Sequence, residues 1–129
     1  MNTKLTEMLN QTFPNLYRGP RGRGMGFECG DGWFDLIAEL STKLEAEIMK
    51  QTEEDRQYVM ASQVKEKFGT LRFYMSQETD EMSKLINEAE DKSAETCEQC
   101  GNKGELRQDG WWSTLCDTHH QEREKENNG

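Results

Sequence analysis

Apolar side chains recur along this chain at two different periods, and the change of period divides it into elements. Leu5, Met8, Leu9 and Phe13 fall at helical spacing after a candidate cap at Thr3, and Pro14 ends the stretch. A longer stripe, Trp33, Leu36, Ile37, Leu40, Leu44 and Ile48, follows Asp31, a side chain suited to cap a helix N-terminus. Met82, Leu85, Ile86 and Ala89 form a third stripe, entered through Thr79-Asp80-Glu81, whose acids favour a helix start. Between the second and third stripes the period shortens to that of strands. Tyr58 to Glu66 and Thr70 to Met75 are rich in β-branched and aromatic residues, and Lys67-Phe68-Gly69 separates them, which predicts a β-hairpin. With the turn centred on Lys67 and Phe68, Val64 would face Leu71 and Met60 would face Met75. Gln63, Lys65, Arg72 and Tyr74 would share the polar face. The predicted core is Trp33, Leu36, Ile37, Leu40, Leu85, Ile86, Val64, Leu71 and Phe73.

The C-terminal third carries a different signal. Cys97 and Cys100 form a Cys-x2-Cys pair, and Cys116-Asp117-Thr118-His119 adds a thiol and an imidazole at metal-ligand spacing. Three thiolates and one imidazole complete a tetrahedral shell for Zn2+ and leave no position open for substrate. The competing reading is a pair of disulfides among the four cysteines; it must draw on Cys29, far upstream, and leaves His119 unexplained. Gly104 to Leu115 has room for a short hairpin turning at Asp109-Gly110, and good helix formers follow Cys116. If Cys116 opens that helix, Cys116 and His119 share one face of its first turn. Knuckle, hairpin and ligand-bearing helix together resemble a treble-clef zinc finger. The expected fold is therefore α+β, helices packed on a β-hairpin in a core of residues 1–95, with a treble-clef-like zinc module in residues 96–129.

Charge adds a contrast. The chain has 129 residues and a formal net charge of −9, so it repels a phosphate backbone, and nonspecific DNA coating is not expected. No run approaches the roughly 20 apolar residues of a membrane span. No apolar leader precedes the first stripe, which fits a reducing host-cell cytoplasm. Against the acidic background, no Asp or Glu occurs between Glu7 and Glu28, while Arg18, Arg21 and Arg23 sit in a loop rich in glycine. Guanidinium groups on such a loop can grip phosphate or carboxylate bidentately, with Trp33, Lys65 and Arg72 extending the site. The alternative is a solvated linker whose arginines pair with the protein's own carboxylates.

The runs from Gly26 to Ile37 and Gln63 to Tyr74, the Cys-x2-Cys pair, and Trp111-Trp112-Ser113-Thr114-Leu115-Cys116 resemble a family of small bacteriophage and prophage proteins. The likeness spans Phe13 to His120. The family's members are mostly of unassigned function, so the resemblance implies a phage setting and carries over no catalytic residue.

Catalysis has little to draw on. The histidines are His119, assigned to the metal, and its neighbour His120; no Ser/His/Asp set and no phosphate-loop fingerprint is present. The enzymatic alternative is a metal-dependent hydrolase using Glu28 and Asp31. Two non-catalytic readings stand beside it. In the one the residues favour, because a nucleotide explains the local basic island, the arginine loop sequesters a phosphate-bearing nucleotide signal, an anionic small molecule, and so counteracts host defence. In the other, the acidic surface docks on a basic host protein and inhibits a nucleic-acid-processing complex. The anion pocket can require two chains, a homo-oligomer, to form.

Overall fold

The computed structural model describes residues 1–19 and 22–128. Among these residues, five α-helices and two small antiparallel sheets make a mixed α+β architecture. Helix α1 (Thr3–Thr12) is capped by Asn2 rather than Thr3, because Asn2 Oδ1 accepts the Leu5 N–H at 2.8 Å. Helix α2 (Phe34–Met49) is entered through a 3-10 turn at Asp31–Trp33. Asp31 does not cap it: its two carboxylate oxygens accept from the Asn2 backbone N–H (2.7 Å) and the Asn2 side-chain amide (3.0 Å), tying the start of α1 to the start of α2. A single turn, α3 (Glu53–Arg56), had no counterpart in the apolar pattern because it buries nothing.

Strands β1 (Ala61–Lys67) and β2 (Thr70–Met75) form the expected hairpin, with the turn one residue later. Phe68 (φ 54°) and Gly69 (φ 86°) occupy its two central positions, the positive-φ pair of the turn whose twist matches that of the strands. The register therefore pairs Val64 with Phe73 and Glu66 with Leu71, correcting the sequence expectation. Lys65 lies opposite Arg72 and Gln63 opposite Tyr74, so the polar face keeps its expected members. An irregularity between Ala61 and Gln63 resets the alternation and lets Ala61 and Val64 both point inward.

Both edges of this hairpin are covered. Glu28 bridges to β1 in parallel, donating its N–H to the Val64 carbonyl (3.0 Å) and accepting from Glu66 (2.9 Å). On the β2 side, helix α4 (Asp80–Ser93), capped by Thr79, lends side chains to the strand. Ser93 Oγ accepts from Leu71 N–H at 2.9 Å and Glu90 from Phe73 N–H at 3.1 Å. Glu90 lies partly out of water, and that burial pushes its carboxyl up despite the hydrogen bond. Side chains thus satisfy donors that an exposed edge would offer to another chain.

Helices α2 and α4 pack on one another and α4 on β2, enclosing one core that contains every predicted core residue, with Leu85 at its margin. Its centre comes from segments without periodicity. Tyr17 makes edge-on contacts with Phe13 and Phe27, at 6.3 and 5.0 Å between ring centroids, and a tilted one with Phe73. Ser41 Oγ donates to the Ile37 carbonyl, so Tyr17 donates the 2.5 Å hydrogen bond that joins the two hydroxyls. Leu40 is buried in the face of α2 that meets this core, and Leu40→Ala is expected to cost about 2–5 kcal/mol. Chemical denaturation checks it; a loss near zero would mean that this face does not carry the core.

No described helix is long and apolar enough to cross a membrane.

Candidate metal centre

The backbone after α4 is bent so that two thiols face a third and an imidazole. Thr96 and Lys103 bridge, Cys97 N–H donates to the Asn102 carbonyl at 2.8 Å, and Gly101 N–H returns to the Cys97 carbonyl at 2.9 Å. Strands β3 (Glu105–Arg107) and β4 (Ser113–Leu115) then pair, Leu106 opposite Thr114, and deliver the chain to Cys116. Helix α5 (Asp117–Asn128) follows at once, and the His120 N–H donates to the Cys116 carbonyl at 2.9 Å, so Cys116 opens the helix as expected. The donor atoms of Cys97, Cys100, Cys116 and His119 all lie within 4.8 Å of one another, a set able to hold a metal ion. Cys97 Sγ is 3.5 Å from His119 Nδ1, Cys116 Sγ 3.2 Å from it, and Cys100 Sγ 3.8 Å from Cys116 Sγ. A disulfide requires about 2.05 Å between sulfurs, and all four cysteines are free thiols, with Cys29 buried apart from the cluster in the main core.

Local electrostatics favour thiolate at this position. Burial raises the Cys97 thiol, but N–H groups of Cys116, Cys100 and Gln99 directed at the sulfur outweigh it and hold the pKa at about 6. At Cys100 the Asn102 N–H favours thiolate, yet burial and the neighbouring sulfurs push the group up. Two sulfurs competing for one negative charge is a conflict that a bound cation removes.

The cluster is joined to the helical core by backbone and side-chain hydrogen bonds. Gly32 N–H donates to the Glu98 carbonyl at 2.8 Å, Gly30 N–H to Glu98 Oε2 at 2.9 Å, and Trp33 Nε1 to the Thr96 carbonyl at 2.8 Å. A Cβ on Gly32 would stand 2.3 Å from the Cys97 carbonyl oxygen, so only glycine permits this approach. On the other side, buried Thr114 Oγ1 donates to the Gly69 carbonyl at 2.7 Å.

The expected anion site fares differently. Trp33 is completely buried, and its indole N–H is already held by Thr96, so it presents no face to a ligand. Arg18 donates to the carbonyls of Arg56 (2.7 Å) and Val59 (3.4 Å), which makes it a tie between the loop and the end of α3. Arg21 lies outside the described residues. Arg23 is exposed. Around it the loop is fastened, Gly24 N–H to the Arg18 carbonyl at 2.8 Å and Met25 to both ends of the Asn10 amide. Lys65 and Arg72 are brought together, as cross-strand neighbours. Asp31 is engaged by Asn2, and among the described residues neither it nor Glu28 joins a cluster able to hold a metal.

His120 is half-buried and clasped. Its Nε2 lies 2.8 Å from Asp109 Oδ2 and 3.2 Å from Glu124 Oε1, and the hydrogen bond from His120 holds the Asp109 carboxyl down at about 2. Arg123 adds a bond to Asp109 (3.3 Å) and one to the Trp111 carbonyl (2.8 Å), so α5 grips the β3–β4 loop. His120→Ala is expected to leave metal content unchanged while loosening that loop, a difference readable by elemental analysis and tryptophan fluorescence.

That loop carries what the sequence reading passed over. Trp111 is 79% exposed, Trp112 43% and, at the tip of the first hairpin, Phe68 62%. Phe68 and Trp112 meet edge-on at 6.2 Å, and with Glu66, Lys67, Gly110 and Trp111 they line a cleft of about 560 Å³. Two adjacent tryptophans in a glycine turn were the available signal, since a single turn cannot bury both.

No protein-family model matches the chain, and neither a curated protein nor a solved structure shows similarity to it.

Proposed function

We propose that the chain is a non-enzymatic, zinc-structured binding protein whose partner is another protein. The donor set carries the reading. Around a tetrahedral zinc, with Zn–S of about 2.3 Å and Zn–N of about 2.0–2.1 Å, two sulfurs stand about 3.8 Å apart and sulfur and nitrogen about 3.5 Å. The separations here are 3.8 Å for Cys100 and Cys116 and 3.5 Å for Cys97 and His119, with Cys116 and His119 somewhat closer. His119 Nδ1 faces the sulfurs, while its Nε2 points toward Glu122 at 3.9 Å, a carboxylate that would orient the ring. Four protein ligands fill the shell, so the ion is architectural. Knuckle, hairpin and helix-borne ligand pair support a treble-clef arrangement.

The protein partner is preferred to a nucleotide because Trp33 and Arg18 are committed inside the fold. A net charge of −9 favours a basic partner, and in the phage setting the resemblance implies, the chain would act as an inhibitor of a basic host protein. Native mass spectrometry of the chain purified from producing cells tests the reading. One zinc per chain and no retained nucleotide is expected; a zinc-free chain with disulfides, or a co-purifying nucleotide, would contradict it.

A further inference from the structure

We propose that the cleft between Phe68 and Trp111-Trp112 is the docking site, and that its occupant is an arginine-bearing segment of a basic protein, seated by its guanidinium on the indole faces with Glu66 as counter-charge. The inference rests on the reading of the chain as a protein-binding module and names the surface and the chemistry of the partner.

Four observations converge. The cleft, at about 560 Å³, falls within the roughly 300–1,000 Å³ of ordinary ligand pockets and holds several side chains. Its aromatic wall already receives one cation: Lys67 Nζ lies 5.5 Å from the Phe68 ring centroid. Tryptophan offers the stronger π face for such contacts, and Trp111 is the most exposed side chain of that wall. Glu66 accepts the Gly69 N–H through Oε2 at 2.7 Å and has no partner for its other oxygen among the described residues, leaving it available to a guanidinium.

Charge around the cleft selects the sign of the ligand. Glu66 and Lys67 offset one another inside it, and Asp109, beside Gly110, connects through His120 to Glu124 on α5. Glu122 and Glu126 are exposed on that helix too, alongside Arg123 and Lys125, and the whole chain carries −9. Exposed tryptophans also suit the bases of single-stranded nucleic acid, but those sites run along a positively charged groove, which this surface does not supply. An arginine is preferred to a lysine because its planar fork can stack on an indole and bond a carboxylate in one pose. The geometry of the tip supports recognition as well. Phe68 holds φ at 54°, an uncommon value for a bulky residue and one that projects its ring into solvent beside the tryptophans.

Fluorescence anisotropy with the zinc-loaded 129-residue chain tests the proposal, the probe being a fluorescein-labelled dodecapeptide of alternating arginine and serine. Saturable binding is expected, at least about tenfold weaker for the lysine counterpart and absent for the glutamate counterpart and for labelled oligothymidylate. The double variant Trp111→Ala/Trp112→Ala should lose peptide binding and keep its zinc; Glu66→Gln should weaken binding while leaving the apolar walls intact. If the double variant sheds zinc, Trp111→Ala alone carries the test, since that side chain is 79% exposed. Equal binding by parent and tryptophan variants would reduce the effect to bulk acidity and overturn the proposal. Tryptophan-dependent binding of oligothymidylate would overturn it in favour of nucleic acid. Zinc measured on the same samples separates the two readings: one zinc per chain with no tryptophan-dependent peptide binding defeats the cleft and leaves the metal assignment standing.

Discussion

Cys97→Ser is expected to release the metal, melt the β3–β4 hairpin and lower the stability of the whole chain. Cys97 is the buried ligand of the set, and three backbone N–H groups are aimed at its sulfur. Binding free energies of structural zinc are on the order of 10–16 kcal/mol in isolated finger peptides. Two three-residue strands and a polar helix could not remain ordered without such a contribution. The damage should then cross into the helical core. Releasing Thr96 and Glu98 removes the acceptors of Trp33 Nε1 and Gly32 N–H, and releasing Thr114 frees the Gly69 carbonyl. A fall of at least about 10 °C in the midpoint of thermal unfolding is expected, a shift that corresponds to roughly 3 kcal/mol for a chain of this size. Hydrogen exchange at the amides of Leu106 and Thr114 should accelerate first. Unchanged protection there, with metal lost, would mean that the module holds its shape without the ion.

Trp33→Ala is expected to destabilise by about 3–5 kcal/mol, a large share of the 5–15 kcal/mol typical of a domain. The side chain is wholly buried, and its indole is the hydrogen-bond donor to Thr96, the residue that precedes the first ligand. Removing it opens a cavity under the metal module and orphans a carbonyl. Trp33→Phe separates these two effects, since it keeps most of the packing and loses the hydrogen bond, and should cost about 1–3 kcal/mol. Both variants should also bind the metal more weakly. Urea denaturation at saturating zinc, with competition for the ion by a chelator, measures the two consequences together. A Trp33→Ala loss below about 1 kcal/mol would show that the indole is not the joint between core and module.

How far the sequence disclosed this architecture depended on whether a residue's role had a period or a spacing. The α2 and α4 stripes were legible because burial on one helical face recurs at fixed intervals, and the cluster of Cys97, Cys100, Cys116 and His119 because coordination restricts both residue type and separation. Tyr17, Leu16 and Phe27 belong to loops that turn inward, so nothing in their spacing marked them as core. The hairpin register missed by one residue because Gly69 suggested only that a turn was near; which pair of residues takes positive φ is decided by strand twist. Trp33 carried two plausible roles, core and ligand platform, and the position of Thr96 decided between them. Arg18 looked like part of an anion loop because a guanidinium's partner can be a backbone carbonyl far along the chain, invisible in composition. The aromatic cleft is a meeting of Phe68 with Trp112 across two separate hairpins, and no local pattern anticipates such a contact.

X-ray absorption at the zinc edge on the freshly purified 129-residue chain addresses the central claim most directly, because it reports ligand type and distance together. One zinc per chain with three sulfurs at about 2.3 Å and one nitrogen at about 2.0–2.1 Å is the result expected for Cys97, Cys100, Cys116 and His119. A shell with an oxygen or water in place of one of these ligands would open the site to chemistry and contradict its architectural role, and a zinc-free chain with its thiols paired as disulfides would contradict the metal centre itself.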